Sequence, residues 1–393
     1  SSSGVDHTSK TSSSSNRTST SSLSYQNKLS IEDRLVLEAT HSKINKKRLL
    51  KSGACVENTI YKKTIDFSHE HPLHSYIINT NDETWKAAFK PDKVKEILEA
   101  SSNNGFNNPL PNEMLDMLFK LDKKKTFDEI YQAFKYVEVD RYDQRTLYWL
   151  KESILNYIDL FYDEKQITMY TEKDLLEEVY GFIRRSRTLC CTRTETDSGS
   201  MASSEVKNGS RTLGTNQALA RQAAGDHADL VFKSLSTEVA CVEIGLENLG
   251  SKGTKELQEK LFKTPKMMKA FCARITEQYP QAKTEEIKII GYIISGMYIT
   301  ALEMSFKKGS IALISSSERL KMPESIKQIP ALLPPVLALV YNCTQAIKNT
   351  VDYIDDVSSS FSLNRIPAAN LTFFPPCFVP GTKNDKKRKT SEI

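Results

Sequence analysis

The sequence predicts an α/β (α+β) fold: a mixed β-sheet flanked by helices and preceded by a mainly helical N-terminal region. Two short apolar segments, residues 225–232 and 238–245, have the length and β-branched content of buried strands. Only residues 233–237 separate them, which is a connection of hairpin length. Apolar residues at three- and four-residue spacing before and after these strands predict the flanking helices.

The N-terminal part divides into two regions by composition. Residues 1–30 are dominated by Ser and Thr and are expected to be disordered. Residues 31–165 form the mainly helical region, where Pro91 and Pro111 stand at first-turn positions and Thr126 at a capping position. The helices predicted there cover 91–100, 111–121, 126–136 and 141–163.

Residues 166–357 are predicted to form the α/β domain, and residues 358–393 a tail with a basic cluster. A polar loop at 195–228 is unusually long for a compact domain. Pro265 is expected to restart a helix and Pro335 to begin the last one. The predicted order is helix 171–185, strands 188–194, 225–232 and 238–245, a helical segment from 253, strands 287–295, 297–306 and 310–315, and helix 335–357.

Composition and charge restrict the function only weakly. The chain has 393 residues and a formal net charge of +5, to which residues 383–393 contribute five basic and two acidic side chains. Net charge therefore gives no strong argument for nucleic-acid binding. Seven cysteines without a Cys-x-x-Cys pattern favour a reducing compartment.

Membrane association is not expected. The apolar runs at 289–302 and 329–341 are shorter than the roughly 20 residues that a spanning helix needs. Residues 1–22 lack the apolar core of a signal peptide.

One acidic residue lies on each of the two predicted strands. Asp229 opens the first strand and Glu243 stands near the end of the second, so a hairpin would bring both carboxylates to one edge of the sheet. Paired carboxylates hold hard divalent cations, and such a pair is the minimum equipment for metal-assisted phosphodiester hydrolysis. The structural alternatives are that Asp229 ends a turn and that Glu243 is a solvated residue at the end of a strand.

The order of elements resembles the PD-(D/E)XK superfamily, the restriction-endonuclease-like fold. The chain is also similar to a group of uncharacterised proteins from mucoralean fungi, and the resemblance covers about residues 165–300. The segments that carry it are 198–204 with Asn208 and Arg211, the acids Asp229 and Glu243, Thr254 with Lys255, and a Lys-x-Pro-Lys-x-x-Lys stretch at 263–269.

The resemblance implies a catalytic site in which Asp229 and Glu243 hold Mg²⁺ or Mn²⁺ and a lysine assists. That lysine would stand two residues after Glu243, where this chain has Gly245. Lys252 or Lys255 from the following helix could replace it, and Lys255 is the predicted catalytic residue. A third metal ligand is expected from Glu178, with Glu195 as the competitor.

Two functions follow from this resemblance. The first is a metal-dependent nuclease acting on DNA or RNA with a degenerate catalytic motif. The second is a non-catalytic interaction protein that binds protein partners through the same fold, which Gly245 and the near-neutral charge favour. If Lys252, Lys255 and Arg221 all pointed away from the acid pair, the second would be preferred.

Two other clusters have weaker chemical interpretations. Lys263, Lys266 and Lys269 lie along one side of a helix and could contact phosphates, although a solvated face is the favoured interpretation. His69, His71 and His74 lack a partner at zinc spacing, so a surface loop is favoured. Neither a phosphate-binding Gly-x-x-x-x-Gly-Lys loop nor a Gly-x-Ser-x-Gly elbow is present.

The tail contains four consecutive basic residues, Lys386 to Lys389, after two proline-containing turns. Such a run is typical of a nuclear-import signal or a phosphate-contacting patch, and its alternative is a solubilising tail. The predicted location is therefore the nucleus, or otherwise the cytoplasm.

Overall fold

The computed structural model describes residues 28–99, 105–162, 170–186, 192–194, 200–208, 225–234, 236–246, 256, 259–307, 309–359 and 374–381. The protein is a mixed α/β structure with a seven-strand mixed sheet, flanking helices and a mainly helical N-terminal half, which confirms the predicted fold class. The predictions for residues 1–27, most of the loop at 195–228 and the basic tail lie outside the described residues.

The sheet runs in the order β1-β7-β6-β5-β4-β3-β2, and a short eighth strand pairs with β6. The pairs β1–β7 and β4–β5 are parallel, and all the other pairs are antiparallel. The strands are β1 Ile77–Asn79, β2 Thr192–Thr194, β3 Leu230–Ser234, β4 Thr237–Gly245, β5 Lys288–Ser295, β6 Tyr298–Phe306, β7 Ala312–Ser316 and β8 Leu320–Lys321.

The helices pack on both faces of this sheet and fill the N-terminal half. They are α1 Ile31–Ser42, α2 Val56–Thr64, α3 Glu83–Lys86, α4 Pro91–Glu99, α5 Asn112–Phe119, α6 Phe127–Lys135, α7 Arg145–Ile158, α8 Glu172–Asp174, α9 Gly181–Ser186, α10 Met201–Asn208, α11 Thr264–Gln278 and α12 Ile329–Ser359.

Alternation along the strands divides the core into two layers. Val242 and Ile244 of β4 belong to the layer that contains α7 and α12. Cys241, the residue before Val242, points to the opposite face of the sheet and belongs to the layer built on α11. Every residue of β4 is buried, as expected for a strand covered on both faces.

Gly291 on β5 allows the start of α11 to lie unusually close to the sheet. A Cβ atom at this position would lie 2.7 Å from Thr264 Cγ2 and 2.9 Å from Met268 Sδ, both on α11. The absence of a side chain at Gly291 therefore allows α11 to pack this closely against β4 and β5.

Several helix predictions need correction. The last helix begins at Ile329 and not at Pro335, and it accommodates Pro334 and Pro335 in its interior. Burial of Leu333 and Val336 on both sides of the prolines provides the packing that overrides their low helix propensity. The predicted helix 171–185 is interrupted by a π-helical turn at Leu175–Val179.

By length and composition alone, α12 with the turn before it (Ile326–Ser359) could cross a membrane. Its apolar side chains instead pack against the sheet: Val336, Leu337 and Val340 are fully buried in the same layer as β4. The helix is therefore part of the core of this fold.

The N-terminal half is joined to the sheet, a connection that the sequence did not predict. Strand β1 pairs in parallel with β7. Glu57, which is fully buried, accepts hydrogen bonds from the backbone N–H groups of Arg48 and Ser310, each at 2.8 Å. One carboxylate thus connects the N-terminal half to the turn before β7.

Residues 374–381, which we call the strap, lie across the N-terminal half and α11. The ring of Phe374 packs against that of Phe306 at 5.3 Å, and Phe378 is buried. Three hydrogen bonds hold the strap: Cys377 Sγ to Lys266 O at 3.3 Å, Phe378 N–H to Ser75 Oγ at 2.9 Å and Gly381 N–H to Asp33 Oδ1 at 2.8 Å.

Candidate functional site

The strand register places Asp229 directly opposite Glu243. Leu230 pairs with Val242 and Val231 with Cys241, so Asp229, one residue earlier, faces Glu243. The Asp229 N–H donates to Val242 O at 3.0 Å, and the Ile244 N–H donates to Asp229 Oδ2 at 2.7 Å. Residues opposed in an antiparallel pair have Cβ atoms about 4.5–5.5 Å apart, so the two acidic side chains are neighbours at the end of the hairpin.

The two carboxylates have very different environments. Asp229 is exposed to solvent, whereas Glu243 is 1% exposed. The interpretation of Glu243 as a solvated residue is therefore wrong. Burial raises the pKa of Glu243 to about 8, and the ammonium group of Lys263 opposes a further rise. Asp229 and Glu259, both acidic, add to the increase.

Lys263 forms the ion pair that the buried carboxylate requires. Its Nζ donates to Glu243 Oε2 at 2.6 Å, and its side chain remains 40% exposed. Burial alone would lower the pKa of Lys263, but the Glu243 carboxylate together with Asp229 and Glu259 outweighs that effect, so the pKa is raised. Lys263 is therefore a cation at neutral pH that lies between Glu243 and solvent.

A π-helical turn places Lys263 at this point. The turn Glu259–Lys263 precedes α11 directly, and Pro265 lies in the first turn of that helix. Because a π-turn contains one more residue than an α-turn, it shifts the side chains before the helix around its axis. The close contact of α11 with Gly291 brings the same turn down to the sheet edge.

The second oxygen of Glu243 supports the metal hypothesis. Glu243 Oε1 is buried and has no hydrogen-bond partner in the described part of the chain. A buried carboxyl oxygen without a hydrogen-bond partner is energetically costly, and coordination to a cation would satisfy it and favour the ionised form of Glu243. With Asp229 opposite, the residues fit one divalent cation. Among the described residues, however, no group of three or more His, Cys, Asp or Glu side chains is arranged as a metal site.

The other predicted site residues are placed as follows. Glu178 is exposed, and its charge acts on Arg185 and not on Glu243. The side chains of Lys252, Lys255, Glu195 and Arg221 lie outside the described residues. The structure therefore brings Asp229 and Glu243 together and adds Lys263.

The solvated lysine face predicted at Lys263, Lys266 and Lys269 is wrong. Lys266 forms an ion pair with Glu70. Lys269 is fully buried, and its Nζ donates to Ser75 O. Burial lowers the pKa of Lys269 to about 8. These lysines attach α11 to the N-terminal half.

The surface loop expected at the histidine cluster is also partly wrong. His74 is buried on a 3-10 turn, Pro72–Ser75. Its Nδ1 accepts from the His71 N–H at 2.9 Å, and its Nε2 lies 2.9 Å from Thr64 O. Its role in this structure is to hold the turn beneath Phe378 of the strap.

The Ser-rich segment at 198–204, which contributed to the resemblance, contacts Glu238, the other acidic residue of β4. Glu238 is 1% exposed and accepts hydrogen bonds from Ser200 Oγ and from the N–H groups of Met201 and Ala202, at 2.9–3.0 Å. A carboxylate at a helix N-terminus is stabilising, so Glu238 anchors α10. This contact gives the segment a structural role.

A row of paired residues continues from the acid pair along the same edge of the sheet. We call this row the rim. Gly245 pairs with Ser295, Ser295 with Tyr298, and Tyr298 with Lys321. Gly245 contributes no side chain to the rim beside Glu243, and both Gly245 and Ser295 are buried.

An arginine lies over the tyrosine of this row. The Arg319 guanidinium is 3.8 Å from the centroid of the Tyr298 ring. Glu256 holds it with two hydrogen bonds, Nε to Oε1 at 3.0 Å and Nη2 to Oε2 at 3.1 Å. Lys260 lies near this pair: burial lowers its pKa, and the Glu256 carboxylate opposes that change.

Sequence reasoning missed the roles of Lys263 and Arg319. Lys263 belongs to the stretch that carried the resemblance, but its position at Glu243 depends on a π-turn that leaves no clear mark in the sequence. Arg319 is brought to Tyr298 only by the pairing of β6 with β8. A search for a basic residue anywhere before α11 would have included Lys263.

Comparison of the chain with protein-family models, with curated proteins and with solved structures found no match. The chemistry of the site must therefore be judged from its own geometry.

Proposed function

We propose that this protein is a divalent-metal-dependent hydrolase of nucleic-acid phosphodiesters, related to the restriction-endonuclease-like fold. The proposal rests on Glu243, a buried carboxylate with one oxygen on Lys263 and one without a partner. Most buried carboxylate oxygens in proteins have a hydrogen-bond partner, so the unpaired oxygen of Glu243 supports a cation at this position. The element order also supports the lineage: α9, then β2, β3 and β4, then α11 and β5.

Each residue then has a distinct task. Asp229 and Glu243 would hold Mg²⁺ or Mn²⁺, which when bound lowers the pKa of water and polarises a phosphoryl oxygen. Lys263, charged and partly exposed, would neutralise the negative charge that develops on the phosphate. In the hydrolysis, the water oxygen forms the new bond to phosphorus and the sugar oxygen leaves with a proton.

Calorimetric titration with Mn²⁺ tests the site. Wild type should bind one ion, Glu243→Gln should abolish binding, and Asp229→Ala should weaken it by at least tenfold. Asp128→Asn, which changes an exposed carboxylate on α6, is the matched control and should bind like wild type. Equal binding by wild type and Glu243→Gln would contradict the assignment.

A cleavage assay tests the activity separately. A labelled oligonucleotide should be cut with Mg²⁺ but not with EDTA, and Lys263→Met should reduce the rate about 100-fold or more, as removal of a charge-stabilising donor does elsewhere. Cleavage that survives both Glu243→Gln and Lys263→Met would come from another site or a contaminant.

One observation favours the alternative, a non-catalytic interaction protein. Asp229 Oδ2 already accepts the Ile244 N–H, so this acid also closes the hairpin. If Mn²⁺ does not bind and Asp229→Asn only lowers stability, the site is a structural remnant and the protein is a scaffold for protein partners.

Nuclear location is part of the proposal, because a nuclease acting on DNA needs access to it. Residues 379–393, fused to a fluorescent reporter, should direct it to the nucleus, and replacing residues 386–389 by Ala should abolish this. An evenly distributed reporter would remove the signal from consideration.

A further inference from the structure

We infer that Arg319 and Tyr298 form a stacking platform for one nucleobase of a single-stranded nucleic acid, beside the acid pair. The inference rests on the proposed function for its link to cleavage, but the binding site itself can be tested without cleavage.

The position of the stack on the rim is the first argument. Tyr298 lies on β6, two strands away from β4. Through Ser295 it is in the same row of paired residues as Gly245, which is two residues after Glu243. With strands about 4.8 Å apart and about 3.4 Å per residue, the backbone separation is about 12 Å. At about 3.4 Å per stacked nucleotide, no more than about four nucleotides span this distance.

The face of the sheet is the second argument. Leu302, Met304 and Phe306 of β6 pack in the α11 layer, and Tyr298 has the same parity. Glu243 shares the parity of Cys241, which lies in that layer too. The acid pair and the aromatic ring are therefore on one face, so a strand bound along the rim could contact both.

The geometry of the stack is the third argument. The guanidinium lies over one face of the tyrosine ring, and the two hydrogen bonds that it donates to Glu256, itself 7% exposed, fix its plane. The Arg319 side chain keeps 19% of its surface exposed. A fixed guanidinium plane is a surface on which an unpaired base can stack.

The charges nearby fit a nucleic-acid strand. Lys263 lies at the acid pair, the charge of Arg319 acts on Lys260, and Lys321, which pairs with Glu324, is the neighbour of Tyr298 on β8. Phosphates of a strand that crosses the rim would meet these cations in turn. A duplex keeps its bases stacked on one another and cannot use the platform, so the substrate is single-stranded.

The test is fluorescence-anisotropy titration with labelled single strands of DNA and RNA of one mixed sequence, and with the DNA duplex. Ca²⁺ replaces Mg²⁺ to suppress cleavage. A series of single strands, each with one abasic position, is then titrated. We expect one position at which loss of the base weakens binding about 5- to 150-fold, the range that one stacked base contributes.

Substitutions show whether Arg319 causes that loss. Arg319→Lys keeps the charge but removes the plane, so it should weaken the intact strand by the same factor and make it insensitive to the abasic position. Arg141→Lys, which changes a second Arg–Tyr stack at Tyr148, is the matched control and should keep the wild-type abasic profile. The scan on wild type needs no variant, so a misfolded variant does not prevent the test.

The outcomes separate the two proposals. A uniform, small effect of all abasic positions, equal affinity for duplex and single strand, or no binding would overturn the platform. An abasic-sensitive position without any metal-dependent cleavage would support the platform and contradict the hydrolase. Cleavage abolished by Glu243→Gln, without an abasic-sensitive position, would do the reverse. The DNA and RNA arms identify which sugar the strand carries.

Discussion

Replacing Glu243 by Gln should change how stability depends on pH. Burial raises the pKa of Glu243 to about 8, whereas the unfolded chain has the ordinary value of 4.5. Between these values the folded protein holds a proton that the unfolded chain has released. Stability from this group is therefore fully present below pH 4.5 and is lost as the pH rises towards 8.

The size of the effect follows from the width of that window. Each pH unit inside it changes the free energy of unfolding by up to about 1.4 kcal/mol. From pH 5.5 to pH 7.5, titration of Glu243 should thus lower the free energy of unfolding of wild type by up to about 2.7 kcal/mol. Glu243→Gln cannot titrate at this position and should not show this loss. The difference between the two proteins isolates Glu243 because all other groups titrate in both.

Urea unfolding at several pH values between 5.5 and 8.5 measures this difference. Glu243→Gln should become more stable relative to wild type as the pH rises. Asp128→Asn, on the exposed surface of α6, should follow the wild-type curve. Parallel curves for wild type and Glu243→Gln would show that Glu243 is ionised in the native state and that Lys263 fully compensates its burial.

Two further predictions concern the N-terminal half. Gly309→Ala should destabilise the protein by about 2–4 kcal/mol in the same urea assay, because Gly309 has φ +87° and its Cβ would lie 2.6 Å from Arg48 N; a loss below about 0.5 kcal/mol would contradict this packing. Burial lowers the pKa of His74 below its ordinary 6.5, so its contribution to stability is present above pH 6.5 and is lost as the pH falls. His74→Gln should therefore gain stability relative to wild type as the pH falls from 7 to 5, while a constant difference between the two proteins would show that His74 has the same pKa in the folded and unfolded chains.

The strands that carry the acid pair were predictable because their signal is local. Strands β3 to β7 were each found within a few residues of their predicted positions, since short apolar runs between polar turns leave few alternatives. The opposition of Asp229 and Glu243 then follows from a short hairpin and its register.

The features that were not predictable depend on distant contacts. Strand β1 has only three residues and is stabilised by β7, more than two hundred positions later. Lys269 has the composition of a surface residue, and only the fold shows that Ser75 and the strap enclose it. The position of Lys263 combines a π-turn with the small volume of Gly291.

The strap also determines the order in which the protein can be completed during synthesis. Its hydrogen bond from Gly381 to Asp33 joins two ends of the described chain, and the ring of Phe374 lies 5.3 Å from the buried Lys269 ammonium. Until residue 381 has emerged from the ribosome, the strap therefore cannot cover Lys269, His74 and Ser75 of the nascent chain. Such long-range closure is slow and leaves intermediates exposed. The N-terminal half, although made first, reaches its native burial only after the last described residues emerge.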